Sequence, residues 1–492
     1  MPFTKASAKA PAPPPTKRVA DYPLIAGFAS AHIRKEGRSW FYKLEEPTLS
    51  PAQQVMLDAA KSHIIDVMDS DRTLKDCDIE LYLRNSFRGY KKKYNAKLAE
   101  ADEQLVWYYL MRDFVGLGRI EPLMRDANIE DISCDGIGVP IYISHKEFGP
   151  VKTSILFADE KELEDFVIKL SQKCGRFISY GEPLLDGSLS DGSRVQATFG
   201  AGVTIRGPTF DIRKFREIPF TPLDLFHMGT FSLDELAYLW IAIEKRKNVL
   251  ISGGTASGKS TALNAISLFI PENLKIVSIE DTAELNLLHE NWVQSVSRSG
   301  LASAGPQKYG EVSMFDLLKA SFRQRPDYVI VGEVRGKEAT VMFQGMASGH
   351  AGMGTIHAES LAAVVDRLST PPISLPRSLI GILDILVVQI NTPQIRENSR
   401  RCKEIVEVNE SDEKISSKVI FKWDAHGDKS MYFGSSRILV EEGGESLEPE
   451  MKKRVQFLEL LDKKGVSFKE FPAWVHVYQD DSNKAFKLLS MT

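Results

Sequence analysis

Gly253-Gly254-Thr255-Ala256-Ser257-Gly258-Lys259-Ser260 is the stretch on which the reading of this 492-residue chain turns. It fits a phosphate-loop pattern: glycine, four free positions, then Gly-Lys-Ser, with Gly253, Gly258, Lys259 and Ser260 at the fixed places. Ahead of it, Asn248-Val249-Leu250-Ile251-Ser252 is an apolar, β-branched run of strand length, and behind it Thr261 to Ile266 reads as a helix. The chemistry needs that order. Backbone N–H groups must turn inward around a phosphate while the next helix points its positive N-terminus at the same anion. Glycine permits the turn, Lys259 adds a full charge for the β and γ phosphates, and the Ser260 hydroxyl is placed to ligate Mg²⁺. The run Gly253 to Thr261 is therefore a candidate nucleotide cradle.

Apolar runs that follow the same strand-like pattern are Ile276 to Ile279, Val329 to Val331, Gly354 to Ile356 and Ile385 to Val388, most of them separated by helical patterns. Such alternation argues for an α/β unit with a largely parallel sheet and helices on both faces. Ligands of open parallel sheets sit beyond the carboxyl ends of the strands, so polar residues directly after each run are the ones to inspect. Glu280, Asp281 and Glu284 follow the first; Glu333 and Arg335 follow the second; His357 follows the third. An acid closing an apolar run suits a second Mg²⁺ ligand, which makes Glu333 the partner of Ser260. Glu280 and Glu284 compete for the base that orients an attacking water, and spacing alone does not separate them. At a strand end, His357 reads as a neutral ring that hydrogen-bonds the γ-phosphate and reports its loss.

The rest of the chain divides by composition. A Lys-, Ala- and Pro-rich tail is expected over 1–20, a helical region over 21–100, an α+β lobe over 101–220 and the nucleotide-binding lobe over 221–492. Within the second lobe Pro140 to Ser144 and Val151 to Phe157 read as strands, and Asp186-Gly187 and Asp191-Gly192 as tight turns. Arg84 to Lys97 is basic and tyrosine-bearing, a solvated face or a docking surface. In the last lobe Glu410 to Lys418 reads as a loop, Val419 to Trp423 and Arg437 to Val440 as strands, and Pro449 to Leu461 as a helix. Four scattered cysteines, Cys77, Cys134, Cys174 and Cys402, form no CxxC pair and read as free thiols. A formal charge of −4 argues against a nucleic-acid binder by bulk electrostatics. No apolar run approaches the length of a membrane span, and Ile382 to Ile390 reads as a buried strand. The expected location is the cytoplasm, with membrane contact only through partners.

Taken together these stretches resemble the secretion-system ATPase superfamily of type II secretion, type IV pili, archaella and, more distantly, type IV secretion. The family's phosphate loop is joined here by an aspartate box, Ile279-Glu280-Asp281-Thr282-Ala283-Glu284. An acid-ended strand, Arg325 to Arg335, and a histidine box, Ser348 to Ala358, complete the set. Upstream, Arg112 to Gly118, Ile129 to Ile132, Asp191 to Val195 and Phe210 to Phe215 extend the likeness. The resemblance implies a RecA-like carboxyl-terminal lobe, a homo-hexamer, and ATP closed over by arginines of the amino-terminal lobe, for which Arg213 and Arg194 match. It favours Glu284 as the base. A tetracysteine zinc insertion of bacterial type II members is absent, and the threonine in Glu280-Asp281-Thr282 looks more like the archaeal branch. The implied function is ATP hydrolysis coupled, through a polytopic membrane platform protein, to assembly of a pilus-like filament, archaellum or secretion pseudopilus. A RecA-like motor stimulated by nucleic acid and a regulatory nucleotide switch are the alternatives.

Overall fold

The protein is described by a computed structural model over residues 18–37, 39–70, 78–94, 99–215, 218–298, 310–393, 395, 399–411, 414–441 and 444–491. The chain divides into two compact units, Met1–Phe215 and Arg216–Thr492, and each is built on its own nine-stranded sheet.

Strands of the first unit are β1 (Arg18–Ile25), β2 (Ala29–Glu36), β3 (Ser39–Glu45), β4 (Ile129–Cys134) and β5 (Pro140–His145). They continue with β6 (Gly149–Leu156), β7 (Leu184–Ser188), β8 (Arg194–Thr198) and β9 (Thr209–Arg213). Their spatial order is β1-β2-β3-β6-β5-β4-β9-β8-β7. Neighbours run antiparallel except β3 with β6. The first part of the expected helical region, 21–45, is thus sheet. Its apolar residues recur every second position: Ala29, Ala31 and Ile33 are buried, whereas Ser30 and His32 between them are not. That is the period of a strand. A carboxylate fastens this edge, since buried Asp126 accepts hydrogen bonds from the Tyr22 and Tyr42 hydroxyls, both at 2.8 Å.

Helices begin at Pro51–Ser70 and continue through Ile79–Lys93 and Glu100–Leu110. They share a core that includes Leu57, Ile64, Leu83, Phe87 and Leu110. The third runs into a π-helical turn, Met111–Val115, that ends at Gly116. Of the basic stretch, Arg84 pairs with Glu80 and lies over the Trp107 ring, and Lys91 pairs with Glu103; residues 95–98 fall outside the described set. Asp191-Gly192 is a turn between β7 and β8, with Gly192 at φ 87°. Asp186-Gly187 instead lies inside β7, paired with Gln196 and Val195. Glycine is used there for close approach, because a Cβ at 187 would lie 3.0 Å from Cys174 Cβ.

The second unit contains β10 (Val249–Gly253), β11 (Ile276–Glu280), β12 (Trp292–Val296), β13 (Tyr328–Val334) and β14 (Ala351–Ile356). Beyond these come β15 (Ile385–Asn391), β16 (Arg400–Ser411), β17 (Lys414–Asp424) and β18 (Lys429–Tyr432). The order is β12-β11-β13-β14-β10-β15-β16-β17-β18. From β12 to β15 every pair is parallel; β15 to β18 are antiparallel. Both faces carry helices. Ile251 and Val387 pack toward the helices Leu233–Glu244 and Lys259–Ser267. Leu250, Val331 and Val388 pack toward Glu338–Ala347 and Leu361–Ser369.

Two expectations for the last hundred residues change. Described residues of the supposed loop Glu410 to Lys418 belong to the β16–β17 hairpin. Arg437 to Val440 is not a strand, because its amides have another acceptor: the buried Glu407 carboxylate takes the Arg437 N–H at 3.0 Å and the Ile438 N–H at 3.4 Å. The expected terminal helix is present as Glu448–Lys464. Cys134, Cys174 and Cys402 are free thiols; Cys77 and residues 1–17 of the expected tail lie outside the described residues, while its last three, 18–20, belong to β1. Among those residues no helix is long and apolar enough to cross a membrane.

Candidate active site

All five residues of β10 are buried, which fixes where the phosphate loop emerges. At Gly253 a Cβ would lie 2.4 Å from both the Gln389 carbonyl and Ser257 Oγ, so only glycine fits the exit. Gly258, left-handed at φ 88°, caps the helix Lys259–Ser267, and the N–H groups of that first turn are the ones available to an anion. Ser257 Oγ and Lys259 Nζ both donate to the Gly254 carbonyl at 2.9 Å. Burial lowers the Lys259 pKa, while the charges of Glu333 and Glu284 pull it back up and those of Arg335 and Arg367 push it down. The lysine therefore feels the charge of two carboxylates that the sequence singled out.

Register explains why they meet. Ser252 is level with Ile356 of β14 and Val388 of β15, Gly354 with Val331 of β13, and Val331 with Ile279 of β11. Gly253, Glu280, Glu333 and His357 consequently come off one end of the parallel sheet. A β-bulge between Val331 and Val334 inserts an extra residue on β13 just where Glu333 stands, and bulges of this kind re-aim a side chain beside a site.

The two glutamates of the aspartate box differ sharply. Glu280 is 1 % exposed. One of its oxygens accepts the N–H groups of Glu284 and Leu285, both at 2.8 Å, and the other accepts Gln294 Nε2 at 2.9 Å. Burial raises its pKa against the pull of these donors. Its lone pairs are engaged in holding the turn, whereas Glu284 at the end of that turn is exposed.

Glu333 accepts from Arg335 Nη2 at 2.5 Å, and Arg335 Nη1 is 3.8 Å from Asp281. That contact is the first cause of the raised Arg335 pKa. Buried Glu338 receives the Arg335 and Gly336 N–H groups at 2.6 Å and fixes the exit of β13. The His357 carbonyl accepts Arg367 Nη1 at 2.8 Å.

Ser260 and Glu333 offer a hydroxyl and a carboxylate, both oxygen ligands of the kind Mg²⁺ takes. Among the described residues no group of three or more His, Cys, Asp or Glu could hold a metal alone. A hydroxyl and a carboxylate fit an ion whose remaining ligands are phosphate oxygens and water.

Arg194 and Arg213 belong to the first unit, where they face each other across the β8–β9 ladder. Arg194 donates to both oxygens of Asp186 at 3.3 and 3.1 Å, and Arg213 Nε donates to Asp131 at 3.0 Å. With Tyr142 and Asp211 they line a cavity of about 540 Å³. Residues that sequence reasoning passed over are Arg367, Glu338, Gln294 and Arg400, the last donating to the Ala256 carbonyl at 2.9 Å. None carries a local signal: Arg367 bonds the His357 carbonyl, Glu338 the Arg335 and Gly336 amides and Gln294 the Glu280 carboxylate, and only Arg400 of the four is seen to bond the loop itself.

A parallel sheet whose strand ends converge on a phosphate loop defines a nucleotide-binding α/β protein of the P-loop class. A model of the family "Type II/IV secretion system protein" matches residues 155–442. Uncharacterized protein MJ0900 of Methanocaldococcus jannaschii is 37 % identical over 366 residues, covering 74 % of this chain, which spans 65 % of that relative's length. Type IV secretion system protein PtlH of Bordetella pertussis is 33 % identical over 308 residues, 55 % of this chain and 88 % of PtlH. A looser likeness, 22 % identity at a TM-score of 0.31 over 58 % of this chain and 92 % of the other, links it to the VirB11 ATPase of the Brucella suis type IV secretion system. The chain belongs to the type II/IV secretion system protein family, and so to the secretion-system ATPase superfamily its motifs resemble.

Proposed function

We propose that the chain hydrolyses ATP with Mg²⁺ and, as a cytoplasmic homo-hexamer, drives a membrane-embedded platform protein to assemble a pilus-like filament, archaellum or secretion pseudopilus. The supporting observation is that the phosphate loop, Glu280, Glu333 and His357 leave one end of the parallel sheet. In this reading Gly253 to Thr261 bind the phosphates, Lys259 carries developing charge, and Glu284 orients the water for in-line attack. Occupied lone pairs on Glu280 argue for a supporting role there. Bound Mg²⁺ would neutralise charge on the transferred phosphoryl group, with Ser260 and Glu333 holding it. His357 would sense the γ-phosphate, and Arg213 and Arg194 would close over nucleotide. PtlH and the mycobacterial relatives named putative conjugal transfer proteins make substrate translocation through a type IV machine the second reading.

Mg²⁺-dependent phosphate release by the purified chain tests the activity, and Glu333→Gln tests the site: that variant should bind nucleotide and turn over about a hundredfold more slowly. Wild-type turnover in it would remove Glu333 from the mechanism. His357→Ala should still bind nucleotide but turn over slowly. Co-purification from membranes, with size analysis of the complex, tests the hexamer and its partner.

A further inference from the structure

Arg400 opens β16 opposite Asn391 of β15, and its Nε donates to the Ala256 carbonyl at 2.9 Å. Its stem runs so close to the phosphate loop that a Cβ on Gly258 would lie 2.9 Å from Arg400 Cδ. The arginine's own backbone is braced: Arg401 Nη1 donates to the Arg400 carbonyl at 2.9 Å, and Arg401 is anchored on both oxygens of Asp428 at 2.7 Å. Among the described residues no carboxylate pairs with Arg400.

A trans peptide is planar, and its C=O and N–H point in opposite directions. Drawing the Ala256 carbonyl onto Arg400 therefore aims the Ser257 N–H away from Arg400. Ala256 has φ 57°, a left-handed conformation that alanine keeps only where its surroundings hold it. Arg400 donates to the carbonyl of this left-handed residue.

We propose that Arg400 is a positioning residue for the polyphosphate of a nucleoside di- or triphosphate. It locks the Ala256–Ser257 peptide with the Ser257 N–H turned to the anion. The inference rests on reading Gly253 to Thr261 as the nucleotide cradle.

In the full chain, Arg400→Met should weaken binding of a fluorescent ADP and raise KM for ATP, each about tenfold, as expected for one charge-assisted hydrogen bond. KM should rise more than kcat falls. Arg400→Gln keeps an amide donor for the Ala256 carbonyl and should recover ADP affinity to within about threefold of the parent. Should Arg400→Met not fold, Arg400→Ala takes its place with the same expectation. The proposal is overturned by parent-like ADP affinity in the folded donor-less variant, by a fall in kcat at unchanged KM, or by equal impairment of folded Gln and donor-less variants. Lys259→Ala separates the two readings, because intact nucleotide binding in that variant removes the cradle assignment itself, whatever Arg400 does.

Discussion

The two nine-stranded sheets handle their polar residues in opposite ways. In the second unit the strands β10, β11, β13 and β14 are parallel and apolar along their length, with helices on both faces. Polar residues follow at one end, where the phosphate loop, Glu280, Glu333 and His357 come off the sheet. In the first unit, antiparallel strands expose one face, and polar residues are set along that face or buried as ties, as with Arg194, Arg213 and Asp126. A parallel sheet thus gathers chemistry by topology, whereas an antiparallel one distributes it by register. Substitution at strand ends of the second sheet should cost turnover, and substitution of ties in the first should cost stability.

The hardest test of that contrast is Lys259→Ala. Phosphate release should fall on the order of a thousandfold, with the thermal midpoint unchanged; a large drop in the midpoint would break the distinction. Glu333→Gln should follow with its smaller loss, again at unaltered stability. Glu280→Gln sharpens the comparison, since this residue lies at a strand end yet acts as a buried tie. An amide has one acceptor oxygen where the carboxylate has two, so about 2 kcal/mol of stability should be lost in urea unfolding, and turnover should fall less than in Glu284→Gln. In the first unit Asp126→Asn should cost about 1 kcal/mol in the same assay, by weakening the hydrogen bonds that tie Tyr22 and Tyr42.

The smallest effect is a pH dependence. Burial pushes the Asp113 pKa up, but bonds to Arg112 and Lys61 outweigh it and hold the carboxyl below its ordinary value. The contribution of this depressed acid is complete above its unfolded value, about 4, and is lost as pH falls through the lower folded value. Asp113→Asn should therefore lower the urea midpoint near neutrality and flatten its decline in acid. An unchanged acid limb would show that other carboxylates set it.

Much of the second unit was legible because its signals are contiguous. Strand, loop and helix around Gly253 to Ser260 lie within a few residues, and each acid or histidine directly follows its own apolar run. The first sheet was harder to read. Ala29, Ala31 and Ile33 carry period two, but the stronger helical pattern after Pro51 masked it, and the Asp186-Gly187 turn signal proved to be a close approach to Cys174. Arg437 to Val440 has the β-branched look of a strand, yet the distant carboxylate of Glu407 serves its amides.

What the sequence determined by itself is local chemistry: which loop can wrap a phosphate and which acids stand at strand ends, because both depend on neighbours in the chain. Only the tertiary structure showed Glu280 buried with its oxygens engaged and Glu284 exposed, and brought Arg400 to the loop. Burial, hydrogen-bond occupancy and the meeting of β16 with the cradle depend on strand order and register, and those arise from packing between segments far apart in the chain.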